Sequence, residues 1–112
     1  AQKILSENSD IVAIMCGNDQ MAVAAKTALN LAGNDQTVVY SIDGSPDIKK
    51  ELKKADGQIA GTVAQSPVNI GKKAVDIALD ILEGKDFEKE TSVDVFMINK
   101  ENVEMYGADG WQ

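Results

Sequence analysis

The sequence predicts an α/β fold in which a parallel sheet is flanked by helices. Short apolar runs of strand length alternate with longer segments whose apolar residues recur at helical spacing. Each of the first three runs ends in a polar phrase that also begins the next helix, which is typical of strand–helix repeats. Because strands connected by helices pair in parallel, we expect a parallel sheet with helices packed on it.

The first third of the chain predicts a helix end, a strand and a helix. Residues 1–8 resemble the end of a helix, and residues 11–16 form a continuous apolar strand of the kind buried on both faces. Asn18 or Asp19 then caps a helix that runs to Ala32 and ends at the following glycine. Its alanines recur at helical spacing, so we expect the helix to lie close to the sheet.

The middle of the chain predicts two strands around a short helix. The strands are residues 37–42 and 58–64, and Ser45-Pro46 begins the helix with a serine cap and a proline at its first position. Four lysines cluster on this helix, with the spacing of a solvated face: Lys49, Lys50, Lys53 and Lys54.

The last third predicts a long amphipathic helix and a fourth strand. Ser66-Pro67 begins the helix, and Gly84 ends it. Its expected buried stripe comprises Ile70, Ala74, Ile77, Ala78 and Ile81. Residues 92–98 alternate as a strand, and residues 107–112 form a loose tail.

Composition excludes several classes of function. The formal net charge is -7, and the lysines are otherwise dispersed, so we expect no nucleic-acid partner. The chain has no histidine, which excludes histidine-based catalytic triads and histidine-ligated zinc. Its one cysteine, Cys16, allows no internal disulfide and is expected to be a buried small hydrophobe. The apolar runs are too short to span a bilayer, and no cofactor or metal site is predicted.

Three hydrogen-bonding residues follow the first three strands. They are Asn18, Asp43 and Gln65, spaced by about one strand–helix–strand repeat. Each has a simpler explanation, because asparagine caps helices, Asp-Gly forms turns and a loop glutamine is common. The carboxyl ends of parallel strands share one edge of a sheet, however, and ligands bind along that edge. The ordered trio therefore predicts a binding site.

The chemistry of the trio favours a neutral polar ligand. A carboxylate accepts hydrogen bonds, and a carboxamide both donates and accepts, which suits the adjacent hydroxyls of a sugar or polyol. None of the three is a nucleophile or a redox centre. Sugar sites usually also contain aromatic side chains, and none of the aromatic residues follows a strand beside the trio. Any stacking ring is therefore expected to come from elsewhere.

The chain resembles the C-terminal part of bacterial sugar-binding proteins of ABC transporters, of the ribose-binding type. Three phrases in order carry the resemblance: Asn18-Asp19-Gln20-Met21-Ala22, Ile42-Asp43-Gly44-Ser45-Pro46-Asp47, and Thr62-Val63-Ala64-Gln65-Ser66-Pro67 followed by Ile70-Gly71. The resemblance implies part of a Rossmann-like lobe of the type I periplasmic-binding-protein fold. It also implies that Asn18, Asp43 and Gln65 bond sugar hydroxyls.

The resemblance further implies an organisation into three segments. Residues 1–65 would belong to the C-terminal lobe, residues 66–90 would pack on an N-terminal lobe, and residues 91–112 would return across the hinge and form a tail. The partners would be a monosaccharide or polyol and a membrane permease. The location would be extracytoplasmic, either free in a periplasm or tethered to a cell surface by lipid.

The chain departs from this family in length, because family members are more than twice as long and close two lobes over the ligand. It therefore resembles a fragment, which we expect to bind sugar weakly or not at all. Its helix 67–84 and first strand would expose apolar surface, so we also expect self-association or domain swapping. Binders of pentoses, hexoses and cyclic polyols share the trio, which does not select among them.

Three alternatives remain open from the sequence. The effector-binding domain of a LacI-type transcription regulator shares this fold and similar strand-end phrases, although the Ala64-Gln65-Ser66-Pro67 phrase favours the transport protein. An enzyme could hold magnesium between Asp19 and Asp43, since oxygen ligands suit that ion. No nucleophile, base or phosphate-binding loop accompanies those carboxylates. The last alternative is a structural domain without a site.

Overall fold

A computed structural model describes all of residues 1–112 as a four-stranded sheet with five helices. In chain order the elements are α1 (Gln2–Glu7), β1 (Ala13–Met15), α2 (Asp19–Leu31), β2 (Val38–Asp43), α3 (Pro46–Leu52), β3 (Ile59–Ala64), α4 (Pro67–Leu82), β4 (Phe96–Asn99) and α5 (Val103–Tyr106). The strands lie in the order β1-β2-β3-β4, and β1, β2 and β3 are parallel. The predicted α/β fold with a parallel sheet and flanking helices is confirmed.

The fourth strand corrects the expectation of wholly parallel pairing. β4 is antiparallel to β3, with Thr62 opposite Ile98, and it covers Phe96–Asn99 rather than 92–98. A parallel crossover requires its connecting helix to pack back on the sheet. Since α4 buries none of its residues, it does not form such a crossover, and the chain returns along β3 in the opposite direction.

The first strand is shorter and more exposed than the sequence predicts. β1 pairs only with β2 and lies at the edge of the sheet. Val12 and Met15 are 79% and 77% exposed, and Ile14 alone within β1 is partly buried. The prediction of burial on both faces is wrong here because β1 is an edge strand with a neighbouring strand on one side only.

The core lies between the sheet and helices α2 and α3. Ala22, Ala25 and Leu29 of α2 are buried against it, which confirms that small residues let this helix approach closely. The other core residues come from the strands, α3 and α5: Val39, Ile48, Leu52, Ile59, Ala64, Ile98 and Val103. Cys16 is also buried in this core, as predicted, and burial raises the pKa of its thiol.

Helix α4 forms well but is not packed. Pro67 stands in its first turn, and its apolar residues follow helical spacing, as predicted. None of its 16 residues is buried, so the expected stripe is not covered in this chain. The molecule is correspondingly elongated, with extents of 59 × 30 × 16 Å. None of the helices combines the length and hydropathy that crossing a membrane requires.

Candidate functional site

The three predicted site residues lie at the carboxyl ends of β1, β2 and β3. Asn18 begins α2 after β1, Asp43 is the last residue of β2, and Gln65 follows β3. Asn18 and Asp43 line one cleft, whereas Asp43 and Gln65 line a second. The structure therefore brings the trio to one edge of the sheet, with Asp43 in the middle. We call residues 17–19, 43–45 and 64–66 the strand-end rim.

Asn18 has the capping role that its residue type suggests. Its backbone is extended, and its Oδ1 accepts a hydrogen bond from the Met21 N–H at 2.8 Å. The side chain remains only partly buried at the edge of the cleft. Since Oδ1 is engaged by the helix, Nδ2 is the atom that can donate to a ligand.

Asp43 has a strained backbone. Its φ is 131°, a conformation that residues with a side chain rarely adopt. The next residue, Gly44, has a φ of 76°, and a Cβ there would lie 2.5 Å from Cβ of Ala64. Glycine is therefore required where β2 bends against β3. One oxygen of the Asp43 carboxylate, Oδ2, lies 3.5 Å from the Asp19 N–H.

Gln65 lies beside Asp43 and precedes a second strained residue. Its backbone N–H donates to the Asp43 carbonyl at 3.3 Å, which connects the ends of β2 and β3. Ser66, which follows it, is buried in a left-handed conformation with a φ of 31°. The Gln65 side chain is exposed on the second cleft, where its carboxamide can both donate and accept.

Asp19 organises the rim, which the sequence analysis missed. Its carboxylate is buried and accepts from Ser41 Oγ at 2.5 Å, Thr62 Oγ1 at 2.7 Å and the Ser45 N–H at 2.6 Å. One carboxylate therefore holds together β2, β3 and the start of α3. The signal was a hydroxyl residue inside each of two apolar strands, because buried hydroxyls require partners. Because both oxygens of the Asp19 carboxylate already accept hydrogen bonds from the protein, this arrangement does not favour a magnesium ligand there.

The first cleft is polar and the second is mainly apolar. The first has a volume of about 990 Å³ and contains Asn18, Asp43, Asp47 and Glu51. The second has a volume of about 470 Å³ and is lined by Asp43, Gln65, Pro67, Val68, Ile70 and Trp111. Trp111 lines both clefts beside Asp43. Trp111 does not follow a strand in the sequence, but it reaches the trio because the C-terminal tail folds back over the strand ends.

The tail is held by a buried lysine, which corrects two further expectations. Lys49 has no exposed surface, and its ammonium donates to the Gly110 carbonyl and to Gln112 Oε1. The lysine cluster is therefore not wholly a solvated face, and the tail is not loose. Burial lowers the pKa of Lys49, and the nearby Asp109 carboxylate acts in the opposite direction.

A charged network borders the first cleft. Glu51 accepts from Lys26 of α2 at 2.5 Å and from Lys54 at 2.6 Å. Burial acts to raise the pKa of Glu51, but the two lysines outweigh it and hold that pKa below its ordinary value. No group of three or more carboxylate, thiol or imidazole side chains converges to hold a metal ion.

A rim of hydrogen-bonding side chains at the carboxyl ends of parallel strands, beside a polar cleft, is typical of domains that bind small solutes. The chain belongs to the periplasmic binding protein domain family, whose family model matches residues 1–86. This confirms the family resemblance identified from the three sequence phrases.

Relatives and solved structures agree with this membership. The ribose import binding protein RbsB of Salmonella typhimurium is 37% identical over 100 residues, covering 89% of this chain and 33% of that protein. A periplasmic solute-binding protein of an ABC transporter from Actinobacillus succinogenes, solved with bound D-allose, superposes with a TM-score of 0.87 at 29% identity, covering 94% of this chain and 36% of that one. An ABC transporter solute-binding protein from Agrobacterium vitis, solved with bound allitol, superposes with a TM-score of 0.86 at 29% identity. That match covers 94% of this chain and 37% of the other one. The chain thus spans about a third of the length of the relatives it matches.

Proposed function

We propose that this chain contributes one side of a binding site for a monosaccharide or polyol in the solute-binding component of an ABC import system. Asn18, Asp43 and Gln65 bond the ligand hydroxyls. The observation that carries this proposal is the position of Asp43, which lies on both clefts between Asn18 and Gln65. Allose and allitol in the related structures are ligands of this chemistry.

Backbone strain at the rim supports a binding role. Asp43 and Ser66 are the non-glycine residues with positive φ, and they lie at the ends of β2 and β3. Such conformations cost about 1–3 kcal/mol each and persist where the surrounding structure enforces them, often at functional sites. Asp43 is itself strained, and Gln65 directly precedes the strained Ser66, so the strain lies at or beside two of the three proposed ligand residues.

The chemistry of the trio supports binding rather than catalysis. A carboxylate and two carboxamides present acceptors and donors that match vicinal hydroxyls, and a wrong epimer leaves buried groups unpaired. The named relatives are solute-binding proteins, which favours transport over the transcription-regulator alternative.

We also propose the division into segments that the family implies. Residues 1–65 form lobe structure, residues 66–90 carry a helix that packs on a second lobe, and residues 91–112 return across the hinge. The uncovered apolar side of α4 supports this division, and it would equally support self-association of the chain through that helix. By family membership we place the protein outside the cytoplasm with a membrane permease as its partner.

Nuclear magnetic resonance tests the site directly. A ¹⁵N-labelled chain is titrated with D-ribose, D-allose and allitol to about 100 mM, a concentration that detects Kd values in the millimolar range. We expect the backbone amides of residues 18, 43 and 65 to shift together with at least one solute, and Asp43→Ala to remove the shifts. Asp35→Ala is the matched control, since Asp35 is exposed near the opposite ends of the strands. Shifts that survive in Asp43→Ala, or shifts that spare residues 18, 43 and 65, would contradict the proposal.

A further inference from the structure

We propose that Trp111 is a ligand-contacting residue of this site and that Lys49 positions it. The indole packs against the C–H face of the bound sugar or polyol, while Asp43 bonds its hydroxyls. This inference rests on the proposed function and adds to it a contact outside the strand-end trio.

Trp111 lies beside both clefts of the candidate site. Trp111 lines the first cleft with Asn18 and Asp43, and it lines the second with Asp43 and Gln65. Trp111 is 48% exposed, so a solute in either of the clefts that it lines can reach it. Pyranose rings and polyols present C–H groups as well as hydroxyls, and aromatic side chains with a few placed polar groups are typical of small-molecule sites.

Both sequence neighbours of Trp111 are fixed by hydrogen bonds. The Lys49 ammonium donates to the Gly110 carbonyl and, at 2.7 Å, to Gln112 Oε1. The Gln112 Nε2 group donates in turn to the Tyr106 carbonyl at 2.8 Å. Two hydrogen bonds therefore flank the tryptophan and hold its backbone over the rim.

The segment before the tail is anchored as well. Val103 of α5 is buried in the core, and the Tyr106 ring stacks on Phe96 of β4 at a centroid distance of 5.0 Å. The tail is thus attached to the sheet at one end and to Lys49 at the other. Trp111 is consequently presented by an ordered loop.

Lys49 and Asp43 also belong to one short segment of the chain. α3 begins at Pro46, directly after the Asp43-Gly44-Ser45 turn, and Lys49 lies in its first turns. The carboxylate and the indole are therefore fixed relative to the same helix. Because a fully buried ammonium is costly unless its donors are matched, the lysine and the tail stabilise each other in this arrangement.

The chain contains one tryptophan, so its indole N–H gives a single, separately resolved signal. In the D-allose titration we expect this signal to move with the same saturation curve as the amides of residues 18 and 43. Trp111→Ala is expected to weaken binding about threefold to tenfold, and Trp111→Phe to weaken it less, because phenylalanine keeps an aromatic face for the C–H groups. Trp111 is exposed in the tail, so both variants are expected to fold.

Lys49→Met tests the positioning role, with Lys53→Met as the matched control. Lys53 directly follows the same helix and also reaches the C-terminal segment, but it contacts Glu104 rather than the neighbours of Trp111. We expect Lys49→Met to lower the heteronuclear NOE of the indole and to reduce D-allose affinity to about the level of Trp111→Ala. Lys53→Met is expected to change neither.

The outcomes separate this inference from the proposed function. If the amides of residues 18 and 43 shift with D-allose while the indole stays fixed and Trp111→Ala binds normally, the site stands and the role of Trp111 is wrong. If the solutes shift amides elsewhere but neither those of residues 18 and 43 nor the indole, the proposed function fails, and the role of Trp111 fails with it. An indole shift that persists in Asp43→Ala identifies a contact unrelated to the rim and also overturns the inference.

Discussion

Helix α4 begins directly after the last residue of the strand-end rim, but the two regions differ in the tertiary contacts that hold them in place. At the rim, one buried carboxylate on Asp19 joins two strands and the start of α3 through three hydrogen bonds. α4 has regular helical structure and a clear apolar side, yet none of its residues is buried. Local sequence is therefore sufficient to form this helix, whereas only tertiary contacts make a helix part of a core.

The two regions also differ in what they are suited to do. The rim combines strained backbone at Asp43 and Ser66 with matched buried polar groups, which fixes side chains in place for a ligand. α4 instead leaves large apolar side chains such as Val75, Leu79 and Leu82 in contact with water. Such a surface suits packing against another structural unit rather than recognition of a small polar solute.

Removal of the Asp19 carboxylate should have the largest effect on stability. Asp19→Ala leaves two buried hydroxyls and the Ser45 N–H without their acceptor, so we expect a loss of about 3–5 kcal/mol in the free energy of unfolding. Asp19→Asn should cost less, because it keeps one oxygen acceptor in the same place. Urea denaturation followed by circular dichroism measures both losses.

Asp76→Ala provides the matched control for Asp19. Asp76 is exposed on α4, and its removal should change the free energy of unfolding by less than about 0.5 kcal/mol. If Asp19→Ala and Asp76→Ala had similar effects, the carboxylate would not organise the rim, and the contrast between the two regions would not hold.

Much of the fold could be predicted because its signals are local. The strand–helix alternation gave the three parallel strands, and the Ser45-Pro46 start of α3 was correct, with Ser45 Oγ accepting from the Ile48 N–H. The direction of β4 could not be predicted, because it depends on whether α4 packs on the sheet. The exposure of β1 could not be predicted either, since the sequence of an apolar strand does not show whether it lies at the edge or in the centre of a sheet.

Leucine substitutions compare packing in the two regions. Leu29 of α2 is fully buried, and Leu29→Ala should cost about 3 kcal/mol through lost burial and a residual cavity. Leu79 of α4 is 51% exposed, so Leu79→Ala should cost less than about 1 kcal/mol. Thermal unfolding of the two variants gives the comparison. A cost for Leu79→Ala that grows with protein concentration would instead reveal that α4 is covered in a self-associated form.

The candidate site was predictable to the same extent, and for the same reason. Asn18, Asp43 and Gln65 lie at the carboxyl ends of three neighbouring parallel strands, so the strand pattern places them together without knowledge of side-chain contacts. Trp111 could not be placed in this way, because it depends on contacts of Lys49 with residues 61 and 63 positions later in the chain. Helical spacing assigned Lys49 to a solvated face, and only the returning tail makes that position buried.

Of the expected differences in stability between the two regions, those that come from ion pairs are the smallest. Glu51 beside the rim is mostly buried with Lys26, whereas Lys85 beyond α4 pairs with Asp80 and Glu83 at the surface. Because the lysines lower the pKa of Glu51, its stabilising effect is complete above its ordinary pKa of 4.5 and is lost as the pH falls through the lower value in the folded state. Glu51→Gln should therefore cost about 1 kcal/mol at pH 7, and the difference from the unsubstituted chain should shrink as the pH falls below that ordinary value.

The same measurement on Lys85→Gln completes this contrast. Hydrogen bonds from Lys85 to Glu83 and Asp80 raise the pKa of Lys85, but the pairs are exposed to water and screened by salt. We therefore expect no measurable change in the urea midpoint at pH 7. Burial would not strengthen the Glu51 network if Glu51→Gln and Lys85→Gln lowered the free energy of unfolding equally. The same conclusion would follow if the effect of Glu51→Gln on that free energy did not depend on pH. In that case Glu51 would stabilise the junction of α2 and α3 through packing rather than through charge.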